Sequence, residues 1–334
     1  MVKTKKWQAP LFFLLAGLHL GWSSHGRAEV KMAVEFNNHA APTYIAQAKG
    51  WFEEEGIESV AYEDYVTGMA LAAAMARGDI QVAFICLVPA ITAYTNANVP
   101  IRIIAGTHKR GYGLVGDPRK IKAIEDLQGR NIRIGCVREG GATDVFLQKV
   151  IDTYQLDRAT ILPKIRRMNP PKQVLAVRLG QLDAAVLPEH HASMVEGFGF
   201  KMILTGMDVW PSMQGSVLAV KENLMRERPE LVQRLLRVCK RATRWINDHP
   251  DEAAELVARR LQITSKKVFP LDNALTDGQY DITRQDMARS MSRLYYSTAI
   301  DPKAVQETID YLLALGYIGR QIRAEDILDL RYLR

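Results

Sequence analysis

Cysteine is scarce in this chain of 334 residues, which holds only Cys86, Cys136 and Cys239. Their odd number and wide spacing give neither a disulfide framework nor a zinc-type ligand pattern. Long apolar runs are missing beyond the first twenty residues, which argues against a chain that crosses a bilayer repeatedly. Lys and Arg are nowhere gathered into a run with interleaved aromatics, so nucleic-acid binding has no support. No Ser/His/Asp signature and no paired-carboxylate motif is legible either, and an enzyme is therefore not expected.

What is present begins with a leader. Lys3, Lys5 and Lys6 precede an apolar stretch over 11–20, and Gly26-Arg27-Ala28 puts small residues where a signal peptidase reads. That stretch is shorter than the roughly 20 apolar residues a spanning helix needs. Residues 1–28 are read as a signal peptide, and the working protein as periplasmic. The full chain carries 44 Lys and Arg against 37 Asp and Glu; without the leader's four basic residues the balance is 40 against 37, a net of only +3.

Two stretches about one hundred residues apart repeat one pattern. AAAMARGDIQVAFICLVP covers 72–89 and LAVRLGQLDAAVLP covers 175–188. In each, an Ala/Leu-rich helical segment stops at a glycine (Gly78, Gly180) and passes into a short apolar run ending near a proline. Glycine closes a helix, the apolar run suits a strand buried on both faces, and proline fits the first turn of the next helix. Two αβ units of one design imply two lobes whose strand ends face each other across a cleft.

The wider pattern agrees. Strands are expected over 30–36, 57–62, 80–86, 101–105, 132–137, 161–165, 184–187, 202–204 and 217–220, with a helix over 42–54 and helices throughout after Pro229. Two irregular stretches, 106–116 and 206–215, interrupt the alternation. The fold class is therefore α/β: two lobes, each a mostly parallel sheet flanked by helices, joined by two crossover segments acting as a hinge. The first lobe takes residues 29–108 and 207–334, the second residues 109–206.

Ligand chemistry is sought in the loops after strands. Asn37, Asn38 and His39 offer amides and an imidazole before the first helix, with Tyr44 in its first turn. The loop at Cys86 lacks a hydroxyl. Arg138, Gly140, Gly141, Ala142 and Thr143 end a strand and open a helix, where exposed N–H groups and the helix dipole favour an anion. Glu189 and His190 form a third candidate loop; neighbouring His190 and His191 have no partners at metal-binding spacing, so no metal is expected. Trp210 is a candidate aromatic wall. Arg138 and the glycines favour a sulfonate, nitrate or carboxylate; the His, Glu, Tyr and Trp side chains favour a planar heteroaromatic.

Ala40-Ala41-Pro42-Thr43-Tyr44-Ile45-Ala46-Gln47-Ala48-Lys49-Gly50-Trp51-Phe52, followed by Gly56-Ile57, resembles the opening of substrate-binding proteins of ABC importers for nitrate, sulfonates, taurine and the thiamine pyrimidine. Gly78-Asp79-Ile80, Asp126-Leu127-Gln128-Gly129, Gly180-Gln181-Leu182-Asp183 and Arg228-Pro229-Glu230-Leu231 match its later landmarks in order. The resemblance implies a two-lobed periplasmic-binding-protein-like fold of type II, capture of a small solute without a cofactor, and delivery to a permease and its ATPase by a monomer. It also implies that Glu53, Glu54 and Glu55 dock on that permease; read from the residues alone, they are a solvated helix end. A sensor that presents its ligand to a receptor, or an enzyme on the same fold, are the other classes open to such a chain.

Overall fold

The computed structural model describes residues 28–268 and 280–333, so the expected leader lies, Ala28 apart, outside the described residues. The strands are β1 Ala28–Glu35, β2 Ile57–Tyr65, β3 Val82–Cys86, β4 Ile101–Lys109, β5 Tyr112–Gly116, β6 Ile134–Cys136, β7 Ile165–Arg167, β8 Ala184–Pro188, β9 Lys201–Thr205, β10 Gln214–Lys221 and β11 Tyr295–Tyr296. Helices of eight residues or more are α1 Ala41–Ala48, α2 Gly68–Arg77, α3 Leu87–Asn96, α4 Ala142–Thr153, α5 Pro170–Arg178, α6 Glu189–Glu196, α7 Pro229–Asp248, α8 Pro250–Val268, α9 Arg284–Ser292 and α10 Pro302–Ala314. None of the described helices is long and apolar enough to cross a membrane.

The strands form two sheets, ordered β11-β4-β10-β3-β1-β2 and β7-β6-β8-β5-β9. Read in opposite directions, the two share one plan: β3 and β8, the strands of the sequence repeat, sit at equivalent places, each buried along its whole length. Such strands need apolar residues on both faces, which is why the repeat reads as continuous runs. Gly78 (φ 88°) and Gly180 (φ 65°) take the left-handed conformation after α2 and α5.

Both sheets are mixed where mostly parallel ones were expected. β1 runs parallel to β2 and β3, and β6 to β7 and β8. β10 is antiparallel to β3 and β4, and β5 to β8 and β9. β5 and β10 are the strands by which the chain enters each sheet from the other one, β5 straight from β4 and β10 from β9 through a short helical turn over Gly206–Val209, and both run against their neighbours.

Three local expectations are corrected. The stretch 106–116 is not irregular but the end of β4 and all of β5; its glycines mark close approach, since a Cβ on Gly113 would lie 2.7 Å from Met202 Sδ. The strand expected over 161–165 lies at Ile165–Arg167, because Asp157 caps a helical turn over Arg158–Ile161 and Pro163 falls in the turn that follows. The helix expected over 42–54 is two, α1 and a short turn over Trp51–Glu54, parted at Gly50. The chain passes between the sheets at 110–111 and at 206–213.

A third link was not expected. After α8, helix α9 lies against α6 of the other half, and β11 returns to pair with β4. Arg293 holds Glu189 at 3.0 Å and Glu196 at 2.7 Å, and Arg289 donates to the Ser193 carbonyl at 2.9 Å. On the surface, Glu54 and Glu55 pair with Arg241 and Arg237 of α7.

Candidate functional site

A cavity of about 180 Å³ opens between the two sheets. Glu35, Thr67, Gly68, Met69 and Pro89 line one side; Tyr112, Val137, Arg138, Gly141, Ala142 and Thr143 face them, with Arg167 through Pro170 and Pro188 completing the second wall. Almost all of these residues follow or end a strand at its carboxyl end, the place where open α/β sheets bind ligands. Five helices therefore begin at the cavity: α2 through Thr67 and Gly68, α3 through Pro89, α4 through Gly141, α5 through Asn169 and α6 through Pro188.

The helix starts are not alike. Thr67 Oγ1 accepts from Ala70 N at 3.3 Å and Asn169 Oδ1 from Lys172 N at 3.0 Å, so α2 and α5 carry side-chain caps. Gly141 has no side chain to cap α4, which leaves the first amides of that helix for another acceptor. Arg138 stands beside them, exposed and without an ion pair among the described residues. Arg167 is already committed to Asp144 and to the carbonyl of Val137.

Glu35 is the one acidic residue on the lining among the described residues. Its Oε2 accepts from Cys86 N at 3.1 Å, and the Gly68 backbone also donates to it. Burial raises its carboxyl above the usual carboxylate range despite these bonds. Gly68 must stay small here, because a Cβ would come within 2.5 Å of Pro89 Cγ and 2.8 Å of Glu35 Oε2.

Of the expected residues, Arg138, Gly141, Ala142 and Thr143 line the cavity. Gly140 stands next to them, its N–H donating to Asp144 Oδ2 at 3.1 Å. Asn37, Asn38 and His39 do not line it. Asn37 Oδ1 caps a single 3-10 turn by accepting from His39 N at 3.0 Å; Asn38 Nδ2 donates to Ser290 Oγ at 3.0 Å; His39 Nε2 lies 2.8 Å from the Gly111 carbonyl. Tyr44 is in the core with its hydroxyl donating to Asp64 Oδ1 at 3.1 Å. Cys86 is buried 3.6 Å from His39 Nδ1, and it serves the cavity wall through its amide and its thiol, both of which bond the Glu35 carboxyl.

Glu189 is held by Arg293, with burial pushing its carboxyl up to about 7 against the pull of that guanidinium. His190 is fully buried and lies against His191 with ring centres 3.7 Å apart and the planes tilted by 44°. Trp210 packs edge-on against Tyr311 at 5.5 Å, beside the second crossing. No group of three or more His, Cys, Asp or Glu side chains among the described residues is arranged to hold a metal ion.

Sequence reasoning passed over Glu35, Thr67, Met69, Tyr112, Arg167 and Asn169. Glu35 carried a usable signal, a charged residue at the carboxyl end of an apolar strand. Arg167 was hidden by the displaced strand, which put it in a loop.

Relatives agree with this architecture. A protein of Bacillus subtilis (strain 168) named for binding aliphatic sulfonates is 25% identical over 336 residues, which span 97% of this chain and 93% of its own. The taurine-binding periplasmic protein of Escherichia coli (strain K12) is 24% identical over 207 residues, 61% of this chain and 62% of its own. Among solved structures, the alkanesulfonate-binding protein SsuA from Xanthomonas axonopodis pv. citri, bound to MOPS, superposes with a TM-score of 0.72 over 91% of this chain and 98% of its own at 14% identity, a likeness of fold alone. Residues 23–262 match the model of the NMT1-like family, and the chain belongs to that family.

Proposed function

We propose that this protein is an extracytoplasmic solute-binding protein that captures a small organic anion, of the sulfonate or taurine kind, or nitrate, between its two halves and delivers it to an ABC permease and its ATPase. The observation that carries the reading is the uncapped start of α4 beside Arg138, opening into a cavity on which four other helices begin. Backbone donors at the positive end of a helix, with a guanidinium alongside, suit a charged oxygen of an anion. The relatives named above for sulfonates and taurine support the same class.

The heteroaromatic reading loses its grounds, because Tyr44, His190 and Trp210 are not on the cavity and Tyr112 is the only aromatic lining it among the described residues. In the mechanism we infer, residues 29–108 with 207–334 form one lobe and residues 109–206 the other. The segments 110–111 and 206–213 take up the rotation between them. A ligand that touches both walls favours closure by its differential contacts with the closed form. The protein works in the periplasm as a monomer after loss of its leader, and the closed form is the one the permease receives.

Titration calorimetry on the mature chain with ethanesulfonate, taurine, nitrate and an aminopyrimidine tests the assignment. At least one of the anions should bind, and Arg138→Ala should weaken it by about 10- to 100-fold, the range for a lost hydrogen bond to a charged group. Binding of the pyrimidine alone, or an anion affinity indifferent to Arg138→Ala, would refute it.

A further inference from the structure

We propose that Glu35 makes this a site for a dipolar ligand, an organic anion that also carries a protonated amine, with the amine at Glu35 and the anion at Arg138 and the start of α4. The inference rests on the anion-binding reading above and adds the ligand's second pole.

Glu35 lines the cavity yet is only 8% exposed. A carboxylate so placed ordinarily has a cationic partner, because burying its charge without one is unfavourable. Here the groups that hold it are the Cys86 thiol and the backbone amides of Cys86 and Gly68, all uncharged, and no Lys or Arg acts on it among the described residues. Those amides open α3 and α2. The helix starts of the first wall are thus already supplied with a carboxylate by the chain itself, and a ligand's anionic end would meet like charge there.

The second wall is the reverse. Its α4 start has no side-chain cap, and Arg138 makes no ion pair among the described residues. One wall offers an acceptor and the other offers donors, so a ligand with a pole of each sign satisfies both as the cleft closes. Burial raises the Glu35 carboxyl, and a cation seated beside it would bring it back down, a stabilisation that a bare anion cannot provide. Met69, Pro89 and Val137 leave an apolar middle for the short carbon chain joining the two poles.

Taurine and ethanesulfonate differ only in the amine, and calorimetry of each against wild type and Glu35→Gln tests the proposal. Gln retains an oxygen for the amides of Cys86 and Gly68, so the local fold should survive. Wild type should bind taurine at least tenfold tighter than ethanesulfonate, and the variant should bind the two alike, through weakened binding of taurine. Equal affinities in wild type, or a preference for ethanesulfonate, would overturn the dipolar site and leave the anion reading standing. Taurine preference that persists in Glu35→Gln would overturn the role of Glu35. Binding of neither sulfonate would overturn the dipolar site, and failure of nitrate as well would take the anion reading with it. Should the variant not fold, the wild-type comparison alone can overturn the proposal.

Discussion

At the residue scale, the cavity wall is built by contacts with almost no slack. Gly68 begins α2 where Pro89 of α3 and the Glu35 carboxyl meet, with 2.5 Å and 2.8 Å left for a Cβ. Gly68→Ala should therefore destabilise the protein by about 1–3 kcal/mol, the usual result of adding a methyl group to a packed site, and should weaken ligand binding because Glu35 must shift. Urea unfolding and calorimetry check both, and a variant with unchanged midpoint and affinity would contradict the packing. The same scale shows what the sequence could reveal. The strand, glycine pair and helix around Gly141 form a local pattern, so Arg138, Gly141, Ala142 and Thr143 could be placed from neighbours alone. Asn38 and His39 could not, because what covers them comes from Gly111, His190, Ser290 and Tyr296, all remote in sequence.

At the scale of elements, the legible and the hidden divide along the same line. The αβ repeat is legible because each unit closes on itself through a helix stop and an apolar strand. The clasp of α9 on α6 is hidden because Arg293 and Glu189 are 104 positions apart. For that reason Glu189 read as a cleft residue, although it belongs to an ion pair with Arg293 and is not on the cavity lining. Its carboxyl lies at about 7, raised by burial, and Arg293 is what holds it down. Arg293→Met should raise it further, so the buried acid stays neutral at low pH and becomes costly as pH rises. The variant should lose about 3–5 kcal/mol at pH 8 and clearly less at pH 5.5. Urea unfolding at the two values measures the difference, and an equal loss at both would count against a buried, raised carboxyl. The rotation proposed about 110–111 and 206–213 would also have to be accommodated where α9 rests on α6, so the variant should alter closure as well as stability.

At the scale of the molecule, the two halves meet over a packed cluster of histidines. His39 and His108 come from one half and His190 and His191 from the other; His39 and His108 have ring centres 4.1 Å apart. Around them stand Cys86 against His39, Tyr112 edge-on to His39, Tyr296 beside His108, Tyr280 bonded to His191, and Glu189 with Arg293 at the start of α6. Burial holds His39 down to about 4 and His191 to about 3, and keeps His108 and His190 well below the ordinary value of 6.5. These groups are neutral in both folded and unfolded chains above pH 6.5. Below it the unfolded chain takes up protons that the folded chain refuses, so stability falls with pH, by about 1.4 kcal/mol per pH unit for each histidine, until the folded value is reached. The raised carboxyls of Glu35, Asp64 and Glu189 act in the opposite sense, since the folded chain holds their protons longer, but the four histidines outnumber them. Stability should therefore decline from pH 6.5 towards pH 4. His39→Gln, whose amide can still donate to the Gly111 carbonyl, removes one of the four and should flatten the wild-type slope by about 1.4 kcal/mol per pH unit over that window. Denaturant unfolding at half-unit steps reads the two slopes directly, and parallel curves for variant and wild type would show that His39 takes up its proton alike in the folded and unfolded chains and that the junction is not the packed contact described above.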